Sequence, residues 1–215
     1  LSSSSAASDV YKRQQERLVY FMADVKFENI LAYYCSPVLT GAKVSNLVSI
    51  SKMELPDYRR LVQYYNKRFE KYDIKINPIC ECGQRILVFV YKQSQLYQYL
   101  RRTDVNTILE DYGYSSSWSL NRYIATLKTR MSRGDFPHEI GAFLGYPVSD
   151  ILGFIENNGK NYKFSGYWKV YGDAEEAKVL FERYDRSRCM MMEKMSCGEC
   201  LENILGQFKN QLYIA

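Results

Sequence analysis

The chain has 215 residues, 47% of them hydrophobic, which is enough to form one sizeable core. Its 29 basic and 24 acidic side chains leave a net charge of +5, a surplus too small to indicate a nucleic-acid partner by itself. No apolar stretch approaches the ~20 residues that a membrane helix needs, so the sequence predicts no membrane span. Six cysteines without a signal peptide indicate reduced thiols and a cytoplasmic protein.

The first fourteen residues, LSSSSAASDVYKRQ, are expected to lie outside the fold. They are rich in Ser and Ala, show no apolar periodicity and resemble a translated adaptor sequence. We therefore expect a non-native or disordered leader at residues 1–14 and a single domain at residues 15–215.

The first part of the domain predicts two helices, a strand and a third helix. Phe27, Ile30, Leu31 and Tyr34 are spaced to share one face of a helix. Ser36 and Pro37 are suited to cap and start a short second helix that ends near Gly41. A short strand is expected at residues 47–51, and a strong amphipathic helix is expected to open at Pro56.

A β-hairpin is predicted next, with strands at residues 74–80 and 85–91 joined by Glu-Cys-Gly-Gln. Pro78 cannot donate a ladder hydrogen bond, so the first strand should be an edge or bulged strand. The run ILVFVY in the second strand is continuously apolar, which favours a central position in the sheet.

The rest of the chain is mainly helical in pattern, with one aromatic and β-branched strand expected at residues 162–171. Asp173 with Glu176 resembles a capping box for the helix that follows the strand. The pattern predicts a single α+β domain, with a small mixed sheet of about four strands packed by helices and a helical lobe. The helices are expected at residues 94–101, 105–112, 118–131, 174–184 and 200–213.

Two motifs, the first made of two neighbouring segments, resemble those of one known family. The segment FPHEIGAFLGYPVSDILGFIENNG begins at Phe136, GYWKVYGD begins at Gly166, and CSPVLTGAK runs from Cys35 to Lys43. Together they resemble the bacterial family called domain of unknown function 3793, over roughly residue 15 to the C-terminus. The resemblance implies the domain extent and a bacterial cytosolic protein, and it implies no activity. In that family a cysteine precedes the GYWKVYGD segment, whereas this chain has Ser165.

The Cys35–Lys43 loop is the first candidate site. If a helix starts at Ser36, Cys35 lies just before its N-terminus, where the partial positive charge favours a thiolate. Lys43 would strengthen that effect and could bind an anionic group, and Gly41 would let the backbone approach a ligand. The alternative is that Cys35 is a small buried side chain.

His138 and Glu139 form the second candidate, in the first turn of a predicted helix. A neutral histidine beside a carboxylate could act as a base, an orienting group or a metal ligand. A zinc-binding His-Glu-x-x-His helix is excluded because position 142 is Ala. The alternative is a capping and packing role. We expect Tyr146 and Trp168 to form aromatic walls of the same site.

Cys197-Gly-Glu-Cys200 has the two-residue gap of metal-binding and redox pairs. A four-thiolate metal site would need this pair to meet either Cys80 and Cys82 or Cys189 and Cys35 in space. The alternative is a set of free thiols on a C-terminal helix, because a lone pair lacks the doubled spacing of established zinc sites.

The stretch from Ile140 to Phe154 imitates a DNA-binding helix-turn-helix, with a turn glycine and suitable apolar spacing. Its second helix carries Asp150 and Glu156 and no Lys or Arg. Because a recognition helix lies among phosphates, this composition argues against a nucleic-acid partner.

Our hypothesis is a small-molecule or metal-linked site built from the Cys35–Lys43 loop and the His138–Tyr146 segment. Function tends to lie on such polar loops. In this hypothesis Cys35 is a nucleophile or ligand, and His138 with Glu139 supplies a base or orienting group. The rival is a non-enzymatic interaction module that uses some of the twenty tyrosines to bind another protein. The sequence indicates no cofactor and no reaction.

Overall fold

The computed structural model describes residues 3–132 and 137–211, with side chains from Phe21 to Phe208 over those ranges. Short connections join its α-helices and strands, and one of these connections contains a short 3-10 helix at Glu70–Tyr72. In chain order they are α1 (Ser3–Leu39), β1 (Ser45–Ser51), α2 (Tyr58–Phe69), β2 (Ile74–Cys82), β3 (Arg85–Lys92), α3 (Gln93–Leu100), α4 (Thr103–Asp111), α5 (Leu120–Met131), α6 (Ile140–Phe143), α7 (Val148–Glu156), β4 (Phe164–Ser165), β5 (Lys169–Val170), α8 (Ala174–Ser196) and α9 (Leu201–Gln211).

The main sheet is antiparallel, with β3 between β1 and β2. The hairpin prediction and the central position of the ILVFVY strand are therefore confirmed. The ladder of β2 shifts register between Pro78 and Cys80, as expected for a strand that carries a proline. The α+β class is confirmed, although all strand pairs within the described residues are antiparallel and the sheet is not mixed.

Alternate side chains of β3 enter two different cores, because successive residues of a strand point to opposite faces. Val88 and Val90 belong to a first core built with α1, α2, α8 and α9. Phe89 and Tyr91 belong to a second core built with α3 to α7. Helices thus cover both faces of the sheet, which explains why the strand is apolar at every position from Ile86 to Tyr91.

The prediction of a separate helix from Ser36 is wrong. Helix α1 continues through Pro37 and ends at Leu39. Proline has no N–H, so the carbonyl of Tyr33 loses its usual partner one turn earlier. The Arg188 side chain of α8 donates its Nε–H to that carbonyl at 3.1 Å. This bond from another helix satisfies the acceptor that the proline leaves open.

The strand expected at residues 162–171 is a small hairpin instead. Phe164–Ser165 pairs with Lys169–Val170 in an antiparallel ladder, and Gly166 N–H donates to the carbonyl of Trp168 at 3.0 Å in the turn. The Asp173 half of the predicted capping box is confirmed, since its carboxylate accepts the backbone N–H groups of Glu175 and Glu176 at 2.8 and 3.0 Å. Helix α8 extends beyond the predicted end, to Ser196.

Helix α1 includes residues 3–14, which we assigned to a leader outside the fold. That assignment stays a prediction, because no side chain before Phe21 is described. Within the described part of the chain, no helix combines the length and the apolar character needed to cross a bilayer.

Close packing at Gly153 joins α7 to the β4–β5 hairpin. A Cβ atom at Gly153 would lie 2.4 Å from the Cβ of Tyr171 and 2.6 Å from its Cγ. Real side-chain atoms do not approach so closely, so any residue other than glycine must push the hairpin away from α7.

We expect Gly153→Ala to destabilise the protein by about 1–3 kcal/mol, because the added methyl group overpacks this contact. The matched control is Gly206→Ala in α9, where a Cβ would meet only the hydroxyl of Tyr72 at 3.5 Å. The control should gain about 0.5–1 kcal/mol from the better helix propensity of alanine. Urea unfolding followed by circular dichroism measures both. Equal effects of the two changes would contradict the close-packing account.

Candidate functional site

A cavity of about 520 Å³ lies between α6, α7 and the β4–β5 hairpin, with β1 contributing one side chain. Its walls are mostly apolar and aromatic. They are formed by Leu47, Pro137, His138, Ile140, Gly141, Leu144, Tyr146, Asp150, Ile151, Phe154, Trp168 and Lys169.

The turn between α6 and α7 aims Tyr146 at the cavity. Gly145 has φ +71°, and a Cβ there would lie 2.6 Å from Cγ2 of Val44, the residue before β1, so only glycine fits this turn. The ring of Tyr146 stacks on that of Trp168, with centroids 4.8 Å apart. The hydroxyl of Tyr99 donates to the Tyr146 carbonyl at 2.8 Å. The two predicted aromatic walls therefore line the same cavity.

The buried carboxylate of Asp150 holds Trp168 and the segment after β5 in place. One oxygen accepts the indole N–H of Trp168 at 2.6 Å. The other accepts the backbone N–H groups of Tyr171 and Gly172, each at 2.7 Å. Sequence reasoning treated Asp150 only as an acid unsuited to DNA. The sequence did hold one signal for this role: Asp150 directly precedes Ile151, at the start of the apolar face of α7.

Lys43 is buried behind the Tyr146 ring and is not part of the cavity wall. Its Nζ donates to Asn46 Oδ1 at 3.0 Å and lies 5.2 Å from the Tyr146 ring centroid. A second ring, that of Tyr184, is 6.0 Å away. No carboxylate of the described residues forms an ion pair with this amine. Burial lowers the pKa of Lys43 to about 8.

Cys35 is fully buried in the first core, within the last turn of α1. The argument for a thiolate at a helix N-terminus is therefore wrong, because the partial charge at a helix C-terminus is negative. Burial raises the pKa of the Cys35 thiol to about 12, and the nearby Lys43 offsets only part of that rise. The structure favours the alternative of a small buried side chain.

His138 and Glu139 point into different surroundings. His138 is exposed and lines the cavity, with its ring centroid 6.0 Å from that of Phe154. Glu139 is fully buried and forms an ion pair with Arg130, and it accepts the Tyr114 hydroxyl at 3.3 Å. The two residues therefore do not form a single acid–base pair, and Glu139 has a packing role.

Gly41 is also separate from the cavity. It has φ +80°, and a Cβ there would lie 3.3 Å from Lys92 Nζ. The predicted site is thus only partly assembled. Tyr146, Trp168 and His138 share the cavity, Lys43 lies behind its wall, and the remaining predicted members lie elsewhere.

Comparison with family models decides the relationship that the motifs suggested. The model described as "Protein of unknown function (DUF3793)" matches residues 31–205. The chain belongs to this family. The match includes the Cys35–Lys43 loop and every residue of the cavity wall. Searches of curated proteins and of solved structures found no match.

The proposed metal cysteines are not brought together with other ligands. Cys189 and Cys197 are exposed and Cys200 is half-buried. Over residues 3–132 and 137–211, no three His, Cys, Asp or Glu side chains are placed to hold a metal ion together. A metal role for these residues stays a prediction without structural support.

The segment that resembles a helix-turn-helix forms α6 and α7 in this DUF3793 protein. Asp150, Ile151 and Gly153 of α7 are buried, which leaves Ser149, Leu152 and Glu156 on its exposed face. That face carries no positive charge to meet DNA phosphates. The geometry gives DNA binding no support.

We expect the cysteines to differ in reactivity by exposure. In the native protein, iodoacetamide should modify Cys82, Cys189 and Cys197 first, because these thiols are exposed. Cys35 should react only after unfolding, since it is fully buried with a raised pKa. Peptide mapping by mass spectrometry measures each rate. Labelling of native Cys35 as fast as Cys189 would show that the end of α1 opens and would restore Cys35 as a candidate nucleophile.

We expect Lys43→Met to stabilise the protein near neutral pH by an amount on the order of 3 kcal/mol, because it removes a buried ammonium that has no acid partner among the described residues. The folded pKa of Lys43 is lowered to about 8 from 10.5, so the unfolded chain binds more protons between these values. The native protein should therefore gain stability as pH rises from 8 to 10.5.

The difference between the two proteins should accordingly shrink over that pH range, as measured by urea unfolding at a series of pH values. Lys75→Met, at an exposed position of β2, is the control and should not change the pH profile relative to the native protein. A pH-independent difference between native and Lys43→Met would contradict a buried, titrating amine.

Proposed function

We propose that this protein binds a small, largely apolar molecule in the cavity between α6, α7 and the β4–β5 hairpin. The observation that carries the proposal is the cavity itself, about 520 Å³ with apolar and aromatic walls and few polar groups. Ligand sites of soluble proteins usually have volumes of roughly 300–1,000 Å³ and this kind of lining.

The aromatic walls support the proposal because they are fixed before any ligand enters. The Tyr99 hydroxyl holds the Tyr146 backbone, and the Asp150 carboxylate holds the Trp168 indole. A preformed pocket loses little conformational freedom on binding, so more of the contact energy appears as affinity.

Lys43 supports the same location from behind the wall. A buried amine without an acid partner lowers stability, and such perturbed groups are concentrated at functional sites. Its distance of 5.2 Å from the Tyr146 ring centroid is within the range of a cation–π interaction. We propose that Lys43 orients the Tyr146 ring and does not contact the ligand directly.

The test is binding of N-phenyl-1-naphthylamine, a neutral apolar fluorophore, to the native protein and to Leu47→Trp. Leu47 lines the cavity, so the larger indole should fill it and weaken binding at least tenfold, on the order of 1.4 kcal/mol. Fluorescence titration measures the dissociation constant and the stoichiometry. We expect one saturable site in the native protein.

The matched control is Leu87→Trp. Leu87 lies in β3, half-buried against the same second core, and it does not line the cavity. This variant should bind the probe as the native protein does. Unchanged binding in Leu47→Trp, or no saturable binding in the native protein, would refute the proposed function.

A second candidate function, protein interaction, is supported by the exposed side of α1. Phe21 and Met22 are 64% and 63% exposed, and they border a groove of about 870 Å³ together with Tyr33 and Tyr34. Tyrosine and methionine are enriched in protein interfaces. Probe binding that survives Leu47→Trp but is lost in Met22→Lys would favour this surface.

A further inference from the structure

We infer that the ligand of the cavity is an amphipathic anion, an apolar body that carries one acid group, and that Lys169 binds the acid group. This inference rests on the proposed function and adds the chemical class of the ligand. The evidence for it is that some polar groups of the cavity wall can still form hydrogen bonds.

Lys169 enters the wall from β5. Its ammonium donates one hydrogen bond, to the Gly159 carbonyl at 2.8 Å, and an ammonium has three N–H groups. Its Nζ lies 5.9 Å from the ring centroid of Phe154, which lines the cavity, and 5.1 Å from that of Tyr162. Among the side chains that the structure describes, no carboxylate forms an ion pair with Lys169.

Among the described wall residues, the one carboxylate is that of Asp150, and it is already engaged. Its two oxygens accept three hydrogen bonds from the β4–β5 hairpin, and the residue is 4% exposed. It therefore offers little to a cationic ligand. It also lies too far from Lys169 Nζ to be counted as an ion pair with it.

His138 is the second polar group with free capacity. It is exposed, lines the cavity beside Phe154 and makes no side-chain hydrogen bond with the described residues. An imidazole can donate a hydrogen bond to an oxyanion in either protonation state. Apart from the engaged Asp150, the described part of the wall thus offers one cation and one further hydrogen-bond donor next to apolar side chains. Carboxylate, sulfonate and phosphate groups on an apolar body all match this arrangement.

A simpler role for Lys169 is structural, and the test must distinguish that role from ligand binding. Its bond to Gly159 closes the loop that follows α7, so it could serve only to hold that loop. Lys163 provides a matched comparison, since its Nζ donates to the Gly172 carbonyl at 2.7 Å and it does not line the cavity. Removing either amine deletes one bond to a backbone carbonyl, but only Lys169 can contact the ligand.

The experiment compares two probes that differ in one acid group, N-phenyl-1-naphthylamine and its sulfonate, 8-anilinonaphthalene-1-sulfonate. Each is titrated into the native protein, Lys169→Met and Lys163→Met, with thermal unfolding as a check on folding. Lys169→Met should weaken sulfonate binding about tenfold, because a charge-assisted hydrogen bond is lost. The same variant should change binding of the neutral probe less than about twofold, and Lys163→Met should change neither.

An equal loss of both probes in Lys169→Met would show that the lysine only holds the loop, and would overturn the inference while leaving the proposed function standing. Unchanged sulfonate binding in Lys169→Met would overturn it as well. Failure of the neutral probe to bind the native protein, or its insensitivity to Leu47→Trp, would instead refute the proposed function. These outcomes are distinct because the neutral probe has no group for the lysine to bind.

Discussion

The cavity depends on one buried carboxylate. Asp150 on α7 accepts hydrogen bonds from the Trp168 indole and from two backbone N–H groups of the segment that follows β5. Hydrogen bonds to an ionised group are roughly twice as strong as neutral ones, and an unmet buried carboxylate would be very costly. A two-residue ladder such as β4–β5 has little stability of its own. The hairpin therefore keeps its place through Asp150 and through the close contact at Gly153.

A second buried charge has the opposite character. Lys43 is surrounded by aromatic rings and an amide oxygen, and it has no acid partner among the described residues. Asp150 is fully satisfied and serves the architecture, whereas the lysine lowers stability behind the same cavity. Natural proteins tolerate such a cost mainly where the group contributes to function. The contrast between these two residues supports our proposal that the function of this family member lies at the cavity.

The sequence predicted what depends on local rules. Pro78 and the run ILVFVY determined the strand order, because the absence of an N–H and continuous hydrophobicity each have one consistent position in a sheet. Tyr146 and Trp168 were expected in one site, and they share one cavity. The long stretch around them also identified the family correctly.

What depends on distant partners was not predicted. Pro37 was predicted to start a helix because proline usually breaks a helix that precedes it. Here Arg188, from a distant part of the chain, binds the carbonyl that the proline leaves open, and α1 continues. The thiolate argument for Cys35 depended on that helix start and was wrong for the same reason. The burial of Lys43 and the three bonds of Asp150 arise from tertiary packing, and no local pattern predicts them.

The bond between Arg188 and the Tyr33 carbonyl has a consequence for biosynthesis. Its partners are 155 residues apart, and the first core likewise joins α1 to Met191 of α8 and Leu201 of α9. While the chain emerges from the ribosome, α1 can pack early against β1 and α2, but the part of α1 that contacts α8 and α9 stays uncovered until almost the whole protein is made. Such long-range closure is slow and leaves hydrophobic surface exposed to other nascent chains. The contacts of α1 with α8 and α9 therefore form only after almost the whole chain has been synthesised.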